Sequence, residues 1–133
     1  MLDTGLLIIR LVIGIIMVGH ACKKLFGWFG GEGVSGTAEF FGAIGLQPAR
    51  TMAVCAGLAE LIGGFLFGAG LWIIIGAVLL MITMIVAILK VHADKGLWNL
   101  NGGFEYNLVM LGSLLGVALA GAGAYSLDAL LLL

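Results

Sequence analysis

Apolar residues run along this chain in blocks too long for soluble helices, and the sparse charges mark where the blocks stop. Leu6 to Leu25 forms one block, with Arg10 near its start. A second runs from Thr51 to Leu89, broken only by Glu60. As a single helix it would be roughly 58 Å long, about twice the thickness of a hydrocarbon core. Two spans and a tight turn fit better. Gly68-Ala69-Gly70 supplies the turn, because glycine accepts the positive φ that ends a helix. From Tyr106 to Leu127 no residue carries a formal charge at neutral pH, and Gly121-Ala122-Gly123 ends the span inside it. The pattern predicts an all-α membrane domain over 1–133, a four-helix bundle with spans at about 6–25, 50–68, 71–92 and 105–122.

The connections are unequal. Residues 26–49 hold seven glycines, and within them Val34, Ala38, Phe41 and Gly45 repeat at helical spacing. This predicts a short amphipathic or re-entrant helix between the first two spans. Ser35 is placed to cap it, Glu39 lies in its first turn, and Gly45 and Pro48 stop it. Phe26, Trp28 and Phe29 suit the interfacial aromatic belt. Residues 93–104 form a short polar connection containing Trp98. Lys23, Lys24, Arg50, Lys90 and Lys95 share the side of these two connections, and of the six basic residues only Arg10 lies near the other. The positive-inside rule then places both connections in the cytoplasm and both termini outside.

Composition supports the membrane reading. The chain is 62% hydrophobic and 10% charged, too few charges to cover a soluble domain of this size. The lipid bilayer is therefore the first partner, and a net charge of −1 gives no sign of nucleic acid. Only Asp3 is charged among the first nine residues. With no basic n-region, the first block is expected to be a retained span rather than a cleaved leader. Cys22 and Cys55 lack metal-ligand or Cys-x-x-Cys spacing and read as small core residues, or as a redox pair across two helices. Gly64-x-x-x-Gly68 and Gly112-x-x-x-Gly116 suit close helix packing, within the bundle or in a homo-oligomer.

Glu60 is the residue that most needs an explanation. A carboxyl group in mid-bilayer costs at least about 2.5 kcal/mol, so it faces a bundle interior and finds a partner. Counting from the span ends puts Arg10 and Glu60 about 6 Å apart in depth. A buried Arg10–Glu60 ion pair is the expectation. A second polar cluster is expected toward the inner face. His20 and Lys24 share a helix face at i and i+4. His92 closes the third span, and Asn99, Asn101, Glu105 and Tyr106 lead into the fourth. Such groups relay protons and hydrogen-bond carbonyl oxygens. With Trp98 and Phe104 among the aromatic residues flanking it, the cluster suits a flat, lipid-soluble ring. Polar residues at helix ends also serve as headgroup anchors, and Glu105 in a first turn is favoured by the macrodipole alone. Nothing in the spacing asks for a metal. The sequence contains no nucleophile triad, dinucleotide fingerprint or haem-ligand pattern.

Several motifs together resemble the DoxX family: Arg10, Gly19-His20-Ala21-Cys22-Lys23-Lys24-Leu25-Phe26-Gly27-Trp28-Phe29-Gly30-Gly31, Gly57-Leu58-Ala59-Glu60-Leu61-Ile62-Gly63-Gly64, Val91-His92, Asn101-Gly102-Gly103-Phe104-Glu105-Tyr106 and Tyr125-Ser126-Leu127-Asp128. Lys23 and Ala21 depart from it, standing where the family commonly has Gln and Gly. The resemblance implies a bacterial-type inner-membrane protein of four helices. It also implies a quinone- or lipophile-binding subunit of a membrane oxidoreductase assembly that counters oxidative or thiol stress. No cofactor is built in on this reading. A bound quinone would be the ligand, and electrons would come from a soluble or membrane redox partner. His20, Lys24, Glu60, His92, Asn101, Glu105 and Tyr106 are the candidate ligand and proton-site residues. The alternatives are a non-enzymatic membrane scaffold or assembly factor whose buried polar residues are structural, and a small transporter built around Glu60.

Overall fold

A computed structural model describes residues 1–132. Its elements are α1 (Leu2–Phe26), α2 (Gly33–Ala43), α3 (Ala49–Ala69), α4 (Ile73–Ala87), α5 (Glu105–Ala120) and a terminal turn, α6 (Leu127–Leu130). Three stretches are long and apolar enough to cross a membrane: Leu2–Phe26, Ala49–Ala69 and Ile73–Lys95. The last includes a π-helical segment, Ile88–His92, that continues α4. α5 is apolar but has 16 residues, about 24 Å of helix. The molecule is a helical membrane bundle. Ile8, Ile15, Phe65, Ile74, Val109 and Leu119 point outward, as lipid-facing side chains do.

The boundaries follow local chemistry. Gly27 ends α1 in the left-handed conformation at φ 73°, and Gly70 ends α3 in the same way at φ 69°. Gly121, at φ 93°, terminates α5. The expected hairpin between α3 and α4 is therefore present, with its turn at residues 70–72. The short helix after α1 is also present and packs on α3 and α1. Its start differs from expectation: α2 begins at Gly33, so Ser35 lies inside the helix and caps nothing. The glycines at 27, 30 and 33 all have positive φ and bend the chain sharply before α2. That turn chemistry, rather than a serine cap, sets the first residue of the helix.

α1 and α3 form the tightest pair, because glycine lets their backbones meet. A Cβ at Gly14 would lie 2.8 Å from both Gly64 O and Gly68 Cα. Val18 packs on Gly64, and Leu25 covers Gly57. These contacts define an antiparallel register in which each step along α1 matches a step back along α3. In a membrane, where lipid is as apolar as leucine, close van der Waals packing of this kind is what holds helices together. Gly64-x-x-x-Gly68 thus packs inside the bundle, while Gly112 and Gly116 meet nothing within 4 Å. Met17, Phe67, Leu80 and Leu114 fill the centre, all fully buried.

The end of the bundle that holds the α3–α4 turn is closed by the C-terminal segment. Asp128 accepts from Trp72 N at 2.7 Å and Ile73 N at 3.1 Å, capping α4 with both carboxylate oxygens. Asp128 N donates in turn to Gly70 O at 2.8 Å. Arg10, fully buried, donates from Nη2 to Tyr125 O at 2.6 Å and from Nη1 to Gly68 O at 3.2 Å. A cation is favoured there, since the carbonyls at the end of α3 lack intrahelical partners.

Two stability measurements in detergent micelles check this packing. Gly14→Ala should lower unfolding stability by about 1–3 kcal/mol, since its methyl group meets backbone, whereas Gly112→Ala should change it by less than about 0.5 kcal/mol. Equal losses at the two positions would refute the assigned helix faces. Asp128→Ala should cost about 0.5–2 kcal/mol, the usual range for a lost N-terminal cap. An unchanged midpoint would show that the C-terminal segment does not brace α4.

Candidate functional site

The register of α1 against α3 decides what Glu60 meets. On the Gly14–Gly68, Val18–Gly64 and Leu25–Gly57 contacts, Glu60 faces α1 near Cys22, next to Lys24. Arg10 lies some 18 Å away along the helix axis, beyond a guanidinium's reach. The structure accordingly pairs Glu60 Oε1 with Lys24 Nζ and leaves the expected Arg10–Glu60 ion pair unformed. Counting from span ends misplaced Arg10 because the spans are not flush. α1 runs past the end of α3, and Arg10 answers the carbonyls of the turn instead. Glu60 is 2% exposed, and its other oxygen, Oε2, is buried without a hydrogen-bond partner among the described residues.

Glu60 and Lys24 line a cavity of about 770 Å³ on the side of the first and third connections. Its walls come from α1, α2, α3, the end of α4 and the start of α5. Most of the wall is apolar, with Met17, Phe40, Phe41, Met52, Ile82 and Met84 among its members. Phe40 and Met52 are among the exposed apolar side chains of this wall. A cavity of this size suits a drug- or cofactor-sized molecule fixed by a few polar groups.

Five of the seven residues singled out in the sequence, His20, Lys24, Glu60, His92 and Tyr106, meet in this cavity. The rings of His20 and Tyr106 lie 6.4 Å apart, tilted by 56°. His92 Nδ1 lies 2.6 Å from Gly102 O. A carbonyl only accepts, so Nδ1 carries the proton of this bond. Asn99 is also in the wall. Asn101 and Glu105 are not: Asn101 is exposed in a 3₁₀ turn, and Glu105 sits in the first turn of α5 with its backbone N–H on Leu97 O at 2.7 Å. Among the described residues, no three His, Cys, Asp or Glu side chains gather as metal ligands. Cys22 and Cys55 are free thiols, the first buried and the second exposed.

The sequence reading missed Asn107 and Thr83. Asn107 is 4% exposed and donates from Nδ2 to Met84 Sδ at 3.5 Å, tying α5 to α4 at the cavity wall. An amide one residue into an otherwise apolar span was the available signal, masked by the neighbouring Glu105 and Tyr106. Thr83 spends its hydroxyl on Leu80 O at 2.8 Å, within its own helix. The π-helical segment Ile88–His92 was not readable at all. Such wide turns are rare and recur at functional sites, and this one carries Lys90, Val91 and His92 into the cavity wall.

The comparisons with known proteins bear on this arrangement. The DoxX family description matches residues 5–93. The chain is 33% identical over 126 residues to a Bacillus subtilis (strain 168) protein called "Putative oxidoreductase CatD", covering 95% of this chain and 86% of that one. No solved structure is a significant match. The matched segment contains α1 through the π-helical turn, and with it His20, Lys24, Glu60 and His92. This chain belongs to the DoxX family.

Proposed function

We propose that the chain is the quinone- or lipophile-binding subunit of a membrane oxidoreductase assembly, acting against oxidative or thiol stress. One observation carries this reading: a largely apolar cavity of about 770 Å³ within the bundle is lined by the buried Glu60 carboxylate, three lysines, two imidazoles and a phenol. Binding a flat ring needs apolar walls, and fixing its oxygens needs a few convergent polar groups. Phe40, Phe41 and Met84 provide the walls, while Lys24, Tyr106 and the imidazoles provide the polar groups. The name of the Bacillus subtilis relative points to redox chemistry as well. A redox partner supplies or removes the electrons. This chain's own residues hold the ring and exchange protons at its oxygens, with Glu60 of α3 and His92 of the π-helical turn both in the cavity wall.

On this reading α5 completes the membrane crossing as a fourth span, and the cavity opens toward the cytoplasmic face of a bacterial-type inner membrane. Lys23, Lys24, Arg50, Lys90 and Lys95 near that face favour the orientation.

The reading is tested by extracting protein purified with its native lipids. A quinone-class compound should be recovered by mass spectrometry in near-stoichiometric amount. Lys24→Met combined with Glu60→Gln removes both charges together and should leave a folded bundle that retains less than about a tenth of that compound. Recovery of phospholipid alone would defeat the proposal. Full retention by the double variant would instead make the ion pair a structural lock, as in a scaffold or assembly factor. Orientation is checked with Lys95→Cys in a background lacking Cys22 and Cys55. A membrane-impermeant maleimide should label it in inverted vesicles but not in intact cells, and the opposite pattern would reverse the topology.

A further inference from the structure

The hydrogen-bonding inventory of the cavity discriminates between the two redox forms of a ring ligand. Glu60 lies in the α3 wall, 2% exposed, with Oε1 on Lys24 and Oε2 unpartnered. Paired as a carboxylate with an ammonium, it can only accept. A buried acceptor without a donor is costly, and the cost is relieved by any ligand that brings a hydroxyl to it. In the π-helical turn that continues α4, His92 has committed the proton on Nδ1 to Gly102 O at 2.6 Å. Nε2 is then the ring nitrogen left to meet a ligand. Lys24 and Tyr106 can donate to a ligand oxygen, but both redox forms carry oxygens, so these residues do not discriminate. A quinone has only carbonyl acceptors and would meet Glu60 Oε2 lone pair against lone pair. A hydroquinone has the missing donors.

We propose that the cavity is built for the reduced, hydroxyl-bearing form of its ligand, a lipophilic hydroquinone that donates one hydroxyl to Glu60 Oε2. This rests on the reading of the cavity as a ring-binding site. It adds the redox form that is held, and so the side of the redox couple on which the protein acts as a reservoir or presenting subunit.

The test is calorimetric, on the full chain in detergent micelles, with partition into protein-free micelles subtracted. Three probes of one shape are compared: a short-tailed benzohydroquinone kept reduced under argon, the matching benzoquinone, and the hydroquinone dimethyl ether, which keeps the oxygens and loses the donors. The hydroquinone should bind about tenfold or more tighter than either of the others, the ratio expected for one hydrogen bond to a charged acceptor. In Glu60→Gln, the preference for hydroquinone over quinone should fall to less than about threefold, with helix content and gel-filtration profile checked to exclude misfolding. Equal binding of hydroquinone and quinone, tighter binding of the quinone, or binding of the ether as tight as that of the hydroquinone would overturn the inference and leave the ring-binding function standing. Binding by none of the three would overturn that function as well. The wild-type ratio is decisive even if the variant does not fold.

Discussion

The ion pair between Lys24 and Glu60 is the contact on which the interior of this bundle depends. A carboxylate at this depth is tolerable only when a cation reaches it, and breaking a buried pair by removing one partner costs about 3–5 kcal/mol. Lys24 is suited to the task because its side chain is half in and half out. It is 29% exposed, near the end of α1 that leads into the first connection, and its ammonium is carried inward on an apolar stem. Among the described residues, the pair satisfies one carboxylate oxygen and leaves the other buried without a hydrogen-bond partner. Stability and binding therefore draw on the same carboxyl group.

Arg10 shows the second way in which the fold accommodates a charge. Among the described residues it has no acidic partner at hydrogen-bonding distance. It lies against the carbonyls of Gly68 and Tyr125, which the α3–α4 turn and the C-terminal segment leave exposed to it. Gly70 must be glycine for two reasons: its φ is positive, and a side chain there would collide with Arg10 and Ser126. The two ends of the bundle are thus organised differently. One is closed by backbone carbonyls gathered around a guanidinium, and the other is held open by residues from five helical segments.

Much of this was legible from the chain. Long apolar blocks placed the helices to within a few residues, and glycines at 70 and 121 marked where two of them end. The grouping of His20, Lys24, His92 and Tyr106 followed from their common depth, whereas Glu60, read as a mid-bilayer partner of Arg10, joins them in the structure. The partner of Glu60 was not legible, because depth counted from span ends assumes that spans begin level. The actual offset is fixed by Gly14 seating against Gly64 and Gly68, a contact that depends on which faces meet. Asn107 escaped notice because a single amide does not disturb an apolar pattern. The cap on α4 comes from Asp128, 56 residues away, so no local motif could announce it.

The wide turn at Ile88–His92 has an evolutionary reading. A π-helical turn holds one residue more than the α-helical turn it replaces, and it arises most simply by a single-codon insertion. Removing one residue there would let α4 run on without interruption, and everything beyond the deletion would swing by about 100° around the helix axis. The imidazole of His92 would then leave the cavity wall for another side of the bundle. A variant one residue shorter at this point would keep the same helices while losing that imidazole from its chamber, so the length of this turn decides whether His92 belongs to the cavity.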